Sequence, residues 1–231
     1  MKTADEIIAE LKQILTTKWQ KREGTQVPEA EDLKLGNDAV ELEGTVLYAD
    51  MADSTDLVNG FKDWFAAEVY KCYLLAASYV IRNNSGAITA FDGDRVMAVY
   101  IGSAKNSSAA KTALQLNWVV IQINTALKTA YPTTAFQLRH SVGIDTSKLF
   151  VARTGIRNSN DLVWVGRAAN YAAKLSALSD PEYSAFMTEP VFDRLRDDAK
   201  FGGSPARSMW TEAHWQDRNL KIFKSNWSWK P

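Results

Sequence analysis

The stretch NSGAITAFDGDRVMAVYI, residues 84–101, decides how the chain is organised. Its two apolar runs, AITAF and RVMAVY, predict the strands of a β-hairpin. The DGD sequence between them, residues 92–94, is an acidic turn signal. Because carboxylates also bind hard metal ions, Asp92 and Asp94 have two readings, as turn formers or as metal ligands.

The segments around this hairpin predict a β-α-β-β-α-β order. GTVLYAD (residues 44–50) is a short strand, and helical patterns cover residues 56–83 and 108–128. Residues 136–154 predict a second strand pair that turns near Asp145–Ser147. This order predicts an α+β, ferredoxin-like fold, with an antiparallel sheet and helices on one face.

The flanking segments add to this core. Residues 3–21 predict an amphipathic helix, and the polar residues after it predict a linker arm, so we divide the chain into 1–42 and 43–231. GRAANYAAKLSAL (residues 166–178) is strongly helical by propensity. A short strand, a helix and a Trp-rich hairpin follow towards the C-terminus.

Composition argues against several classes of protein. The chain has 231 residues, with 27 Lys+Arg against 27 Asp+Glu. It therefore lacks the excess of basic residues that would indicate a nucleic-acid partner. Its single cysteine, Cys72, forms neither a disulfide framework nor a zinc cluster. No run of 18 apolar residues predicts a membrane span. We therefore expect a cytoplasmic protein without a membrane partner.

Two carboxylates are the first candidates for chemistry. Asp50 ends an apolar strand and Asp94 begins the second strand of the hairpin, and these strands are commonly neighbours in such a sheet. Paired carboxylates suit Mg²⁺ or Mn²⁺, which also recruit phosphates. Ser54 and Thr55 begin the next helix, whose free N–H groups favour an anion. Alternatively, Asp50 caps that helix and Asp94 only makes a turn.

The helix in GRAANYAAK places Asn170 and Lys174 four residues apart, on one face. An amide and a cation presented together can bind a ribose oxygen and a phosphate. The alternative is a solvated surface.

In their order, four segments resemble the class III nucleotidyl cyclase catalytic domain. The segments are YADMADST (48–55), GDRVMAVY (93–100), GIDTSKLF (143–150) and GRAANYAAK (166–174). The resemblance covers about residues 43–190 and implies a cyclase catalytic domain in 43–231. It also implies that nucleoside triphosphate is the substrate.

Residue by residue, the resemblance implies roles at the site. Asp50 and Asp94, with the Met51 carbonyl, are implied to bind two Mn²⁺ or Mg²⁺ ions. Asn170 is implied to orient the ribose. The family's transition-state Arg is Lys174 here, and Arg167, about two turns earlier on the same helix, is an alternative source of a planar guanidinium. The family builds its sites between subunits, so a homodimer with interfacial sites is implied.

The purine-selecting positions also depart from the family. They correspond to Ala90, four residues before Asp94, and Val163, seven residues before Asn170. Neither side chain can hydrogen-bond a base edge. The pattern is similar to that of the bacterial pyrimidine cyclases of anti-phage (Pycsar) signalling, which act with a separate effector switched on by the cyclic nucleotide.

The function expected from the sequence is therefore the conversion of UTP to cyclic UMP. A cytidylate cyclase and a catalytically inactive nucleotide-binding sensor are the alternatives. A polymerase-type palm domain is more distant, because the charge balance indicates no nucleic-acid channel.

Overall fold

The structure is a computed structural model that describes residues 2–231. Its helices are α1 (Ala4–Thr16), α2 (Ser54–Gly60), α3 (Asp63–Asn83), α4 (Lys105–Ala130), α5 (Arg167–Ser176), α6 (Glu189–Asp193) and α7 (Asp197–Lys200). Its strands are β1 (Gln20–Glu23), β2 (Asp38–Ala52), β3 (Ala87–Asp92), β4 (Arg95–Tyr100), β5 (Arg139–Ile156), β6 (Ser159–Val165), β7 (Ala185–Thr188), β8 (Phe201–Gly202), β9 (Arg207–Ser208), β10 (Thr211–Trp215) and β11 (Leu220–Ser225).

Strand β2 is the centre of the main sheet. It pairs antiparallel with β5 on one side and with β4 on the other. The neighbouring strands run in the order β10-β11-β7-β5-β2-β4-β3, and β1 and β6 join at the sides. The four strands β5-β2-β4-β3 and the helices α3 and α4 form the predicted ferredoxin-like core. The predicted hairpin, its DGD turn and the C-terminal β10–β11 hairpin are confirmed.

Alternating residues of β2 face opposite sides of the sheet, as the period of two requires. Leu47, Ala49 and Met51 pack with α3 and α4. Val46 and Leu42 belong to a second core whose helix is α5. The ferredoxin-like helices therefore share one face, as predicted, and the added helix α5 covers the other.

The predicted turn near Asp145–Ser147 is wrong, because β5 is continuous and pairs with β2 through these residues. Asp145 is fully buried, and its carboxylate accepts hydrogen bonds from Arg167 and Thr188. The Thr146 hydroxyl donates to the Gly44 carbonyl at 3.1 Å. These polar groups are satisfied inside the sheet, so they do not need a solvent-exposed turn.

The N-terminal helix is confirmed but shorter than predicted. α1 ends at Thr16, and the arm then contributes β1, which pairs parallel with the first residues of β2. Since β2 begins at Asp38, the strand runs through the division drawn at residues 42 and 43, which stays a prediction. The single helix predicted over 56–83 is two helices, α2 and α3, with a break at Phe61 and Lys62. Within residues 2–231, no helix is both long and apolar enough to cross a membrane.

Candidate active site

The sheet brings Asp50 and Asp94 together at one end. Asp50 lies near the end of β2, opposite Arg95 of β4 and Ser141 of β5. Asp94 is the last residue of the DGD turn and immediately precedes Arg95, the first residue of β4. Burial raises the pKa of the Asp50 carboxyl to about 6, and the negative charge of Asp94 contributes next. The two carboxylates are therefore close enough to repel each other when the site holds no cation.

Several buried polar atoms around this pair lack a protein partner. Among residues 2–231, Asp94 Oδ2, Arg95 Nε and Ser141 Oγ are buried without a hydrogen bond. Unpaired buried polar atoms are costly, so their clustering indicates that a ligand completes the site. Two half-shielded carboxylates with free oxygen atoms fit a divalent cation that prefers oxygen ligands.

The protein does not supply a full coordination shell from side chains. No group of three or more His, Cys, Asp or Glu in residues 2–231 could enclose a metal ion. Mg²⁺ is commonly bound by one or two carboxylates, with substrate phosphates and water completing its shell. Asp50, Asp94 and the Met51 carbonyl fit that kind of site and not a closed structural one.

The other two acidic residues of this corner are engaged with arginines. Asp92 is 77% exposed and forms an ion pair with Arg95 at 2.7 Å, as befits a turn residue. Asp53 stands at the N-cap of α2 in the left-handed region, at φ 60°, but its side chain makes no capping hydrogen bond. Its carboxylate lies 3.4 Å from Arg139.

A cleft of about 260 Å³ opens beside Asp50. Met51, Asp53, Arg139 and Ser141 line it, together with the C-terminal end of α5. Arg139 places a half-exposed guanidinium in the same cleft as the carboxylate, and the sequence reasoning missed it. A larger cavity of about 740 Å³ lies between α3 and α4, but its lining is apolar and does not include the carboxylates.

The proposed substrate-binding positions on this side are distributed around the corner. Ser54 and Thr55 begin α2, directly after Asp53. Ala90 lies in β3 at an irregularity in its pairing with β4 and packs on the α5 side of the sheet. Tyr48 lies on the same face, 5.3 Å from the Arg95 guanidinium, and burial raises the pKa of its hydroxyl.

The remaining predicted residues lie on α5 and β6. Asn170 and Lys174 are exposed, and within residues 2–231 neither side chain forms a hydrogen bond or an ion pair. Val163 is 39% exposed on β6. No hydrogen bond or ion pair in the described chain joins these residues to Asp50 or Asp94. The predicted site residues of the described chain therefore fall into two groups that no hydrogen bond or ion pair connects.

Arg167 has a different environment from Lys174. Its Nε and Nη2 atoms donate to the two carboxylate oxygens of buried Asp145, at 3.0 and 3.2 Å. Nη2 also donates to the Thr146 carbonyl at 2.9 Å. This guanidinium is therefore held by the sheet, whereas the Lys174 side chain forms no ion pair within residues 2–231.

The proteins similar to this chain in sequence and in fold include several named cyclases. The chain is 46% identical to "Uridylate cyclase" of Xanthomonas perforans, over 98% of this chain and 97% of that protein. The chain belongs to the uridylate cyclase family. It is also 46% identical to "Uridylate cyclase" of Burkholderia cepacia, over 99% of both proteins. No family model matches the sequence.

The fold of this uridylate cyclase family member agrees with the sequence resemblance. A bacterial light-regulated adenylyl cyclase superposes with a TM-score of 0.69 at 19% identity, over 82% of this chain and 54% of the other. The chain is therefore a nucleotidyl cyclase by family, and its fold is that of class III cyclase domains.

Proposed function

We propose that this chain converts UTP to 3′,5′-cyclic UMP and pyrophosphate. The observation that carries the proposal is the pair of partly buried carboxylates, Asp50 and Asp94, with unpartnered polar atoms around them. The full-length similarity to proteins named uridylate cyclase supports UTP as the substrate. Cytidylate cyclase activity is the alternative outcome, since Ala90 and Val163 exclude neither pyrimidine.

Asp50 and Asp94, with the Met51 carbonyl, would hold two Mn²⁺ or Mg²⁺ ions. When bound, these ions would lower the pKa of the ribose 3′-hydroxyl and neutralise charge on the departing pyrophosphate. The end of β2 and the turn before β4 belong to one sheet, so the two carboxylates are held rigidly. Such preorganisation is where the protein contributes most to a phosphoryl transfer.

The positively charged side chains of the protein would bind the phosphates of the substrate. Arg139 lines the cleft beside Asp50 and is half exposed, so we assign it to the triphosphate, together with Ser54 and Thr55 at the start of α2. Lys174, free of ion pairs, would place its ammonium against the α-phosphate in the transition state. Asn170, one turn before it, would orient the ribose.

The bond changes balance without a covalent intermediate. The ribose 3′-oxygen attacks the α-phosphorus and loses its proton to water. The bond from the α-phosphorus to the bridging oxygen breaks, and pyrophosphate leaves with the electron pair. The residues of the chain position and stabilise charge throughout.

A homodimer would complete the site. Within residues 2–231, Asn170 and Lys174 form no hydrogen bond or ion pair with Asp50 or Asp94, and a closed two-fold dimer would bring them to the partner's carboxylates. Exposed apolar side chains on β6, such as Val163 and Val165, agree with a covered surface there. The resemblance to Pycsar cyclases supports a role in anti-phage signalling and a separate effector that the cyclic nucleotide activates.

The retained carboxylates favour an enzyme over an inactive sensor. The test is pyrophosphate release from each common nucleoside triphosphate with Mn²⁺, for the unmodified chain and for Asp94→Ala. We expect release from UTP that Asp94→Ala abolishes while the protein stays folded, because a two-metal site loses half of its carboxylate charge. Substantial activity of Asp94→Ala at saturating Mn²⁺ would contradict the metal assignment.

A further inference from the structure

A buried chain of polar side chains lies behind the carboxylate pair, on the side of the sheet that α3 and α4 cover. Tyr73 of α3 is 0% exposed, Asn117 of α4 is 6% exposed and His140 of β5 is 7% exposed. Tyr73 belongs to a core cluster whose other members are apolar, and His140 also borders the cleft beside Asp50. Apolar side chains would fill such positions without needing partners, so these three polar residues call for an explanation.

The hydrogen bonds fix the direction of this chain. The Asn117 amide nitrogen donates to the Trp227 carbonyl at 2.8 Å, so its oxygen faces inward. That oxygen accepts from the Ser184 hydroxyl at 2.8 Å and lies 2.9 Å from His140 Nε2. Since an amide oxygen can only accept, Nε2 carries the proton, and Nδ1 of the neutral ring is left as an acceptor.

Tyr73 links this ring to the active-site strand. Its hydroxyl lies 3.4 Å from His140 Nδ1 and 3.4 Å from the Asp50 carbonyl oxygen. Both partners are acceptors, so the single hydroxyl proton is shared between them. His140 is also the cross-strand partner of Met51 in the β2–β5 register. The polar chain therefore ends on the peptide that joins Asp50 to Met51.

We propose that Tyr73, His140 and Asn117 are positioning residues that orient the Asp50–Met51 peptide for metal binding. Tyr73 and Asn117 do not line the cleft beside Asp50, and His140 borders it with only 7% of its surface exposed. By holding the Asp50 carbonyl, they fix the orientation of the peptide plane between Asp50 and Met51. The Asp50 carboxylate and the Met51 carbonyl lie on either side of this plane, so their orientation depends on it. The inference rests on the proposed function, because it assigns these residues to the same metal site.

At its other end, this series of hydrogen-bonded side chains is anchored to the C-terminal segment. The Trp227 N–H donates to the Ser225 hydroxyl at 3.0 Å, and the Trp229 N–H donates to the Leu114 carbonyl at 3.0 Å. Asn117 therefore takes its orientation from a segment that is itself held against α4. Partners of this kind, one step removed from a metal, commonly change metal affinity or activity by about 10- to 100-fold when they are removed.

Tyr73→Phe tests the proposal, because it removes one oxygen and keeps the ring that fills the core. Tyr100→Phe is the matched control. Tyr100 is 1% exposed, and its hydroxyl bonds to Thr112 at 2.9 Å, so this variant also loses one buried hydrogen bond. We expect both variants to lose similar stability in thermal unfolding. Only Tyr73→Phe should weaken Mn²⁺ binding, by about tenfold or more, in titrations of the free-Mn²⁺ electron paramagnetic resonance signal without nucleotide.

The kinetic expectation follows the same logic. Tyr73→Phe should lower kcat at subsaturating Mn²⁺ with little change in the KM for the nucleotide, and Tyr100→Phe should change neither. His140→Phe, which removes both ring nitrogens and retains an aromatic ring, should weaken Mn²⁺ binding in the same way. If either folded variant binds Mn²⁺ as tightly as the unmodified chain, the residues only fill the core and the proposal is overturned.

The unmodified chain and Asp94→Ala separate this failure from that of the proposed function. If the unmodified chain binds Mn²⁺ and Asp94→Ala does not, the metal site stands and Tyr73→Phe decides the positioning role alone. If Asp94→Ala binds Mn²⁺ as tightly as the unmodified chain, the metal assignment fails, and the inference fails with it.

Discussion

Asp94→Asn is expected to stabilise the metal-free protein and to abolish its stabilisation by Mn²⁺. The pKa of Asp50 rises from 3.8 to about 6, through burial first and the charge of Asp94 next. This rise in pKa corresponds to about 3 kcal/mol for a fully shielded group. Asp50 is only partly buried, and solvent screening reduces this to about 1–2 kcal/mol. Because burial is the larger cause of the raised pKa, neutralising Asp94 should increase the free energy of unfolding by only about 0.5–1 kcal/mol.

The pH dependence has a definite sign. A carboxyl whose folded pKa is raised favours the folded state when protonated, so the destabilisation is full above pH 6 and is lost as the pH falls towards 4. In EDTA, the unmodified protein should gain stability from this pair between pH 7 and pH 4. Asp94→Asn should gain less, because part of the repulsion is already removed.

Thermal unfolding in EDTA and in Mn²⁺ measures both effects. At pH 7.5 in EDTA, we expect Asp94→Asn to raise Tm by about 1–4 °C, at about 2–4 °C per kcal/mol for a chain of this size. Mn²⁺ at ten times its Kd should stabilise the unmodified chain by about 1.4 kcal/mol and the variant by far less. Asp92→Asn, in the same turn, is the control and should keep the Mn²⁺ response. A less stable Asp94→Asn with an undiminished Mn²⁺ response would refute the reasoning.

Two further predictions concern the second half of the site. Mixing inactive Asp94→Ala and Asn170→Ala chains should recover activity, because each mixed dimer contains one intact site, and mixed dimers without activity would contradict an interfacial site. Arg167→Ala should cost about 3 kcal/mol in the free energy of unfolding, since it leaves buried Asp145 without its cation. Lys174→Ala should instead leave chemical denaturation unchanged and lower kcat more than tenfold, and the reverse pattern would exchange the two roles.

The hairpin and its helices could be predicted because their signals are local. Apolar alternation and a Gly-containing turn specify β3 and β4 whatever surrounds them. The continuous strand β5 could not be predicted, because Asp145 resembles a turn residue until its ion-pair partner Arg167, 22 positions away, is seen. β1 also has no sequence signal, since all four residues are exposed and backbone pairing with β2 holds the strand in place.

The residues of the site also separate into those that the sequence could predict and those that it could not. Asp50 and Asp94 follow from strand ends that topology makes neighbours, so their approach could be predicted. Arg139 enters the cleft only because β5 starts beside the end of β2. Tyr73 and His140 could not be recognised, because each sits singly in an apolar pattern. Their hydrogen bonds form only when α3, α4 and β5 pack together.

Product identification tests the central claim most directly. The unmodified protein is incubated with Mn²⁺ and an equimolar mixture of ATP, GTP, CTP and UTP, and the cyclic nucleotides are identified by mass spectrometry. A site without polar groups at Ala90 and Val163 has no means of selecting a purine edge there. We predict cyclic UMP as the main product, and cyclic CMP would change only the choice of pyrimidine. Cyclic AMP or cyclic GMP as the main product, or no cyclic product, would contradict the account.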